Sequence, residues 1–254
     1  MNIGVVLITY AIDVTPLIRS IDGRDVSWHI YTHSDRPEAL ACLGMSVQGE
    51  SCFHDCRQNR GLAKSWNDGL IEAYDQGAAT VVIANDDLVM THNDLLVLAQ
   101  AAVEHPECGI IVAEGYNVRM DEQQQLQFAV PAINRSALEQ IGYFDESYTP
   151  IYGEDCDYSR RAALLGVKFY NAGKTDIIHT GSATVGSVPD LALQNNKTFQ
   201  ANLAYHIAKH GGSYGSESFA FPFNDPGLSW KITAENRHNP YPGHERTDLE
   251  IVKL

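Results

Sequence analysis

An apolar run that ends in two adjacent acids, Thr80-Val-Val-Ile-Ala-Asn-Asp-Asp87, constrains the fold more than any other segment. The run predicts a buried strand that delivers both carboxylates to its carboxyl-terminal end. Hard divalent cations prefer oxygen ligands, and open α/β sheets bind their ligands at this edge. The segment therefore favours an α/β sheet with a cation site, although two acids after a strand can also shape a turn or stabilise a following helix.

Strand-like and helix-like segments alternate through the first half of the chain. Strands are predicted at Ile3–Tyr10, at Trp28–Thr32, from Ser46–Gln48, at 80–84 and at Gly109–Glu114. Helices are predicted after Thr15-Pro16 and at Pro37–Leu43, Gly61–Gln76 and Asn93–Glu104. This alternation predicts a mostly parallel sheet with helices on both faces.

The second half of the chain is less regular. We expect an extended segment at Gln125–Asn134, a helix at Ser136–Ile141 with a capping box of Ser136 and Glu139, a helix from Glu154-Asp155 to Gly166, strands at Val167–Tyr170 and Asp176–His179, and a helix at Leu191–His210. Residues 211–254 are rich in Pro, Asn, Gly and aromatic residues. They are expected to form a tail or flap beside a domain of residues 1–210.

Composition limits the partners and the compartment. The chain has 254 residues, a formal charge of -14 and a pI near 5.0, which disfavours a nucleic acid held through its phosphates. The apolar run Ile3–Ile8 is too short to cross a membrane and does not resemble a signal peptide. Five cysteines without a regular framework favour reduced thiols in the cytoplasm. Cys52 and Cys56 lack a second ligand pair at zinc-finger spacing, so small buried thiols are favoured over a zinc site.

A second acidic cluster lies in Tyr152-Gly-Glu-Asp-Cys-Asp-Tyr-Ser-Arg-Arg161. Acids at a helix N-terminus complement the helix dipole, and the spacing of Asp157 and Arg161 favours an ion pair within the helix. That explanation is weaker for Glu154 and Asp155, because Tyr152-Gly153 is a flexible approach that can bring a carboxylate into a cleft. His179, at the end of the run Asp176–His179, is by itself more typical of a structural residue than of a metal ligand.

Five short motifs, taken together, resemble the family-2 glycosyltransferases, including members that transfer rhamnose or galactofuranose. The motifs are Asn59–Gly69, Val82–Asp87, Gly142–Glu146, Gly153–Asp157 with Arg160, and His179–Ser182. They occur in the family's order and approximate spacing, and the resemblance runs from residue 1 to about residue 210. It implies a GT-A fold, a nucleotide-sugar donor, a Mg²⁺ or Mn²⁺ ion and inversion at the anomeric carbon. It also implies a nucleotide-sugar-binding half, 1–115, and an acceptor or catalytic half, 116–210.

The resemblance assigns roles to individual residues. Asp87 and His179 correspond to metal ligands, Asp155 to the general base, and Glu154 to a neighbour that orients the acceptor or the base. The donor-binding positions are Thr9, Tyr10, Asp35, Asn59, Arg60, Gly61, Lys64, Asn67, Asn85 and Asp86. Asn85 replaces the first acid of the family's metal motif, and the acid that ends the second strand in many members is displaced to Asp35. The helix dipole is expected to lower the pKa of Asp155.

Metal-dependent glycosyl transfer to a hydroxyl of a glycan, a lipid-linked sugar or another acceptor is therefore the favoured function. The alternative is a degenerate GT-A domain that binds nucleotide sugar or glycan without catalysis, which the substitution at Asn85 supports. Nucleotidyl transfer is disfavoured, because the segment after the first strand, Tyr10-Ala-Ile-Asp-Val14, has neither a glycine nor a basic residue. A glycoside hydrolase needs two carboxylates but no cation that binds diphosphate.

Overall fold

The computed structural model describes residues 1–21, 23–45, 47, 51–116, 128–181 and 189–248. Eight strands in these ranges form one sheet in the order β3-β2-β1-β4-β7-β6-β8-β5. They are β1 (Ile3–Thr9), β2 (Val26–Thr32), β3 (Ser51–Asp55), β4 (Thr80–Ala84), β5 (Leu88–Val89), β6 (Cys108–Tyr116), β7 (Ala132–Ile133) and β8 (Lys168–His179). The helices are α1 (Thr15–Ile21), α2 (Pro37–Leu40), α3 (Leu62–Asp75), α4 (His92–Glu104), α5 (Arg135–Gln140), α6 (Glu154–Leu164) and α7 (Pro189–His210).

The sheet is mixed, and its parallel half carries the acidic motif Asn85-Asp86-Asp87 at the end of β4. Strands β3, β2, β1 and β4 are all parallel, as predicted, so the ends of β1 and β4 meet at one edge. The short strand β7 lies antiparallel between β4 and β6, and β8 returns parallel to β6. β5, which the sequence did not predict, pairs antiparallel with β8 and brings the segment after the acidic motif next to the end of β8.

Helices cover both faces of the sheet, as the alternation predicted. On one face, α1 and α4 bury Ile18, Leu95 and Leu98 against the sheet. On the other face, α3, α5 and α6 bury side chains such as Trp66 and Tyr158. The apolar stripe of α3 explains its position, because residues three and four apart point to one side of the helix.

Two local predictions were wrong, and a third lies largely outside the described residues. The third strand is β3 at 51–55, whereas the predicted start at Ser46–Gln48 falls largely outside the described residues. The two predicted strands in 167–179 are one strand, β8, because irregular register with β6 accommodates the segment that includes Gly173 (φ +93°). Ser136 does not cap α5: the N-cap is Asn134, and Ser136 Oγ donates to the Pro106 carbonyl (2.8 Å). The predicted extended segment Gln125–Asn134 is described only from residue 128 and contains β7.

The described part of the tail, 211–248, packs back onto the domain. Trp230, Ile232 and Tyr241 are buried, and the Ile232 N–H donates to the Ile141 carbonyl (3.0 Å). Gly142 (φ +79°) allows this contact, because a Cβ there would lie 1.7 Å from the Ile232 oxygen. None of the described helices has the length and apolar character needed to cross a membrane.

Candidate functional site

The acidic motif Asn85-Asp86-Asp87 lies at the carboxyl-terminal edge of β1 and β4. Because these strands are parallel neighbours, the backbone N–H of Tyr10, which follows β1, reaches Oδ2 of Asp86, which follows β4, at 3.3 Å. Tyr10 and Asp86 are both half-buried. Two predicted donor-binding residues are therefore brought together at the edge where α/β sheets bind ligands.

Asp87 and His179, the two predicted metal ligands, are in direct contact. The pairing of Leu88 with His179 in β5 and β8 aligns the two segments, and His179 Nε2 lies 3.1 Å from Asp87 Oδ1. The Asp87 backbone carbonyl accepts hydrogen bonds from the Thr180 N–H (3.0 Å) and Oγ1 (2.8 Å). Both side chains retain limited exposure, 6% for Asp87 and 16% for His179. A carboxylate and an imidazole in contact at a ligand-binding edge fit Mn²⁺ or Mg²⁺ completed by oxygens of a substrate.

Asp155, the predicted base, lies at the same edge of the sheet. Residues 128 and 129 make the connection: the Phe128 backbone N–H donates to the Asp155 carboxylate, and the Ala129 carbonyl accepts from the Asn85 N–H (3.1 Å). Two hydrogen bonds and two residues of chain place the Asp155 carboxylate within roughly 12 Å of the Asn85 amide. Asp87 and Asp155, which are far apart in the sequence, therefore lie near the same edge of the sheet.

Burial, rather than the helix dipole, controls the protonation of Glu154 and Asp155. Burial raises the pKa of Asp155, although the backbone N–H groups of Cys156 (2.8 Å) and Phe128 oppose it. Burial, followed by the charge of Asp155, raises the pKa of Glu154 well above its usual value. The predicted lowering of the Asp155 pKa was therefore wrong, because it neglected desolvation at a half-buried position. A raised pKa makes Asp155 a better proton acceptor than an ordinary aspartate.

Asp157 serves the fold, as the helix-dipole interpretation suggested. Its fully buried carboxylate contacts Arg161 Nε (2.7 Å), Lys209 Nζ (2.5 Å) and His210 Nε2 (2.9 Å). Burial alone raises the pKa of Asp157, but the charges of Lys209 and Arg161 outweigh this and hold the pKa well below its usual value. Lys209 also binds Asp145 (2.8 Å), so α7 is joined to α6 and to the loop before it.

Four predicted donor-binding residues lie at the start of α3. Asn59 Oδ1 accepts from the Gly61 N–H (3.1 Å), and Gly61 (φ +88°) leads into the helix beside Thr149. Arg60 forms a short ion pair with Asp68, and its guanidinium lies 5.7 Å from the centroid of the Tyr31 ring. The half-buried Lys64 is 3.8 Å from Glu146. These contacts order the segment, and binding of a donor there stays a prediction.

The remaining predicted donor-binding residues lie in different surroundings. Thr9 is fully buried and its hydroxyl donates to the Ile12 carbonyl (2.9 Å). Asn67 is also fully buried, and its amide bonds both the N–H and the carbonyl of Phe144 (2.9 Å each). Their side chains therefore hold the backbone. Asp35 is exposed beyond β2, and Asn85 is half-buried after β4.

Two residues that the sequence did not indicate support the turn before Glu154 and Asp155. Asn202 on α7 donates to the carbonyls of Ile151 (2.8 Å) and Tyr152 (2.7 Å) and holds the approach to α6. Tyr214 approaches Gly153 so closely that a Cβ there would lie 2.5 Å from the Tyr214 hydroxyl. Gly153 (φ +93°) thus permits both the turn and this contact. The sequence carries no local signal for either residue, because both act across long separations.

Comparisons with solved structures identify the fold. The mannosyltransferase PcManGT from Pyrobaculum calidifontis, in complex with GDP-Man and Mn²⁺, matches with a TM-score of 0.50 and 17% identity over 82% of this chain and 62% of that one. S. aureus TarS matches with a TM-score of 0.52 and 14% identity over 83% of this chain and 43% of that one. Glucosyl-3-phosphoglycerate synthase from Mycobacterium tuberculosis, in complex with Mn²⁺, UDP-glucose and glycerol 3-phosphate, matches with 0.51 and 15% over 79% of each chain. The expected GT-A fold is confirmed.

Sequence comparison adds a local similarity. A galactofuranosyl glycosyltransferase from Leishmania donovani is 41% identical over 71 residues, which are 27% of this chain and 16% of that protein. The chain thus matches less than two thirds of that protein, and it spans 62% of the mannosyltransferase and 43% of TarS. No family model matches the chain.

Proposed function

We propose that the chain is a metal-dependent inverting glycosyltransferase that moves a sugar from a nucleotide-diphosphate donor to an acceptor hydroxyl. The observation that carries the proposal is the meeting of Asp86, Asp87, His179 and Asp155 at one edge of a GT-A sheet. The solved structures of the mannosyltransferase and of glucosyl-3-phosphoglycerate synthase contain GDP-Man or UDP-glucose together with Mn²⁺, which supports the same class of donor and cation here.

The residues divide the reaction between them. Asp87 and His179 would hold the cation, which when bound neutralises the negative charge that builds on the departing diphosphate. Asp86, whose carboxylate accepts a hydrogen bond from the Tyr10 N–H, would contact the donor. Asp155 accepts the proton of the acceptor hydroxyl, a role that its raised pKa favours. Glu154 lies beside Asp155, where it orients the acceptor or the base.

The acceptor is proposed to be a hydroxyl of a glycan or a lipid-linked sugar, bound by the turn 145–152, α5 and the tail. These segments lie on either side of Asp155 in the sequence, and Tyr214 of the tail packs against Gly153, two residues before Asp155. All five cysteines lie in described residues and none forms a disulfide, in keeping with the proposed cytoplasmic setting.

The test is release of nucleoside diphosphate from a panel of UDP-, GDP- and dTDP-sugars, with Mn²⁺ or with a chelator. We expect release from one donor class that is abolished by chelation and by Asp87→Ala, while the exposed control Glu104→Ala stays active. Activity that survives both chelation and Asp87→Ala would contradict the metal assignment. NMR of the product distinguishes inversion from retention at the anomeric carbon.

A binding domain without catalysis is the second candidate, because Asn85 stands where the family's metal motif begins with an acid. It would bind a nucleotide sugar, seen as a raised Tm, without diphosphate release in the presence of Mn²⁺ and any acceptor tested. Diphosphate release that depends on both Asp87 and Asp155 excludes this candidate.

A further inference from the structure

A second group of metal-binding side chains lies at the outer edge of the sheet, at β3. His29 on β2, Cys52 on β3 and Glu72 on α3 each place one ligand atom within 4.8 Å of the others. His29 and Cys52 are neighbours in the parallel register of β2 and β3. His29 lies three residues before the end of β2, about 10 Å from the edge that carries the candidate donor site. The group is therefore separate from Asp87 and His179.

The contacts of Glu72 converge on a single oxygen atom. His29 Nδ1 and His54 Nε2 both lie 2.9 Å from Glu72 Oε2, and the Tyr31 hydroxyl lies 3.5 Å from it. One carboxylate oxygen offers about two lone pairs, so three donors exceed what it can accept well. A cation at this point would displace the protons that His29 and His54 direct at Glu72 Oε2. It would instead bind one nitrogen lone pair of each imidazole and the carboxylate of Glu72.

His29 is the fully buried member of the group. Its side chain is fully buried, and among the described residues its Nε2 atom has no hydrogen-bond partner. A buried imidazole with an unsatisfied nitrogen costs free energy. A metal bond through Nδ1, the nitrogen that faces Glu72, would replace the proton shared with Glu72 and would stabilise the buried ring, although Nε2 would still lack a partner within the described ranges.

The types of ligand and their supports fit zinc. Imidazole, thiolate and carboxylate are the side chains that bind Zn²⁺, usually four around a tetrahedral ion. Gln76 Nε2 donates to Cys52 Sγ (3.3 Å), and the His54 ring stacks on Tyr31 (4.3 Å between centroids, 8° between planes). Such contacts orient ligands in metal sites. Zinc bonds of about 2.0–2.3 Å require the ligand atoms of His29, Cys52 and Glu72 to approach one another by roughly 1 Å. His54 contacts this group through Glu72 Oε2 (2.9 Å), and its partly exposed side chain must move further to reach the ion.

We propose that His29, Cys52, Glu72 and His54 form a structural zinc site that holds the edge strand β3 against β2 and α3. The ligands come from three elements that are distant in the sequence. β3 pairs with β2 on one side only, so a bond from Cys52 and His54 to Glu72 fixes the strand to the helix above it. The interpretation of Cys52 as a small buried thiol is replaced by that of a ligand whose partners lie outside the Cys52–Cys56 segment.

The experiment uses the full chain carrying Asp87→Ala and His179→Ala, so that the candidate donor-site cation cannot contribute. The protein is stripped with a chelator and titrated with Zn²⁺ or Co²⁺ alone. We expect one equivalent of Zn²⁺ to bind and to raise Tm by several degrees. With Co²⁺, a sulfur-to-cobalt charge-transfer band should appear, because the site contains a thiolate.

Matched variants locate the metal. Cys52→Ser should abolish the cobalt charge-transfer band, whereas Cys56→Ser, at another half-buried thiol only four residues away, should retain it. Glu72→Gln preserves the size of the side chain and should weaken Zn²⁺ binding by about 10- to 100-fold. Circular dichroism of each metal-free variant shows whether it remains folded, and Glu72→Gln supplies the test if Cys52→Ser does not fold.

Absence of Zn²⁺ binding to the chain that carries only Asp87→Ala and His179→Ala overturns the proposal. So does a charge-transfer band that survives Cys52→Ser, or Zn²⁺ affinity unchanged by Glu72→Gln. None of these measurements depends on sugar transfer, so their outcome is independent of the proposed enzymatic activity.

Discussion

Asp155 and Asp157 lie two residues apart in the first turn of α6, yet their carboxylates meet opposite surroundings. Asp157 is surrounded by Arg161, Lys209 and His210 and has a lowered pKa. Asp155 and its neighbour Glu154 receive backbone N–H groups, and burial raises the pKa of both carboxyl groups. The helix dipole is shared by all three acids, so the difference comes from the side chains around Asp157, Arg161 on α6 and Lys209 and His210 on α7.

This contrast separates an acid that stabilises the fold from acids that are suited to chemistry. A buried carboxylate with cationic partners stays ionised and holds them in place. A buried carboxylate without such partners retains affinity for a proton, which is the property of a general base or acid. Substitutions of the three acids should therefore fall into two classes, one that changes activity and one that changes stability.

The largest effect is expected for Asp155→Asn. Loss of the proton acceptor should lower the rate of sugar transfer by about 10²- to 10⁴-fold. Donor binding should persist and Tm should not fall, because the ionised form of Asp155 is already disfavoured by burial. Steady-state kinetics and thermal unfolding measure the two quantities. The control is Asp75→Asn at the exposed end of α3, and near-normal turnover of Asp155→Asn would remove this residue from the role of base.

Asp157→Asn should have the opposite profile. It leaves Lys209, Arg161 and His210 without their shared carboxylate, and breaking a buried ion pair costs about 3–5 kcal/mol. In a chain of this size the loss corresponds to a Tm lower by roughly 10 °C. Turnover per folded molecule, measured well below Tm, should change little. If the variant keeps its Tm but loses sugar transfer, Asp157 takes part in catalysis, and the proposed difference in role between Asp155 and Asp157 is wrong.

The sequence predicted the features that depend on local pattern. Thr80–Ala84 is a buried strand followed by Asp86 and Asp87, and α3 and α6 lie where their periodicity and acidic first turn placed them. The pairing of Asp157 with Arg161 follows from helical spacing alone. These features require only neighbouring residues or the parallel order of the strands.

The sequence failed where distant segments decide the outcome. The raised pKa of Asp155 depends on burial beneath segments that include Phe128, and the burial of Asn67 depends on the loop at Phe144. The proposed zinc ligands likewise come from three separate elements, so the segment Cys52–Cys56 alone does not show that His29 and Glu72 lie beside Cys52. Spacing within one segment carries no information about such contacts.

The pH dependence of transfer sharpens the comparison. Asp155 must be ionised to accept a proton, and its pKa is raised in the folded protein, so activity should be complete at high pH and fall as pH drops through that pKa. The midpoint of this fall in kcat/KM should lie above the value of about 3.9 for an ordinary aspartate. Circular dichroism at each pH excludes unfolding as the cause. A folded protein whose activity stays flat down to about pH 4 would show that burial does not control the base.

The smallest effect is expected for the stability of Glu154→Gln. The pKa of Glu154 is raised in the folded protein by burial and by the charge of Asp155, so folding favours its protonated form. Its contribution to stability is complete below the unfolded pKa and is lost as pH rises through the folded pKa. The neutral glutamine avoids this loss and should raise Tm at pH 8 by roughly 2–4 °C, the shift produced by about 1 kcal/mol, with little gain near pH 4.

The corresponding substitution Asp157→Asn destabilises at pH 8, so thermal unfolding of both variants at the two pH values compares the two environments directly. A lower Tm for Glu154→Gln at pH 8 would mean that the folded protein stabilises the ionised carboxylate of Glu154. The surroundings of Glu154 and Asp157 would then have the same effect on ionisation.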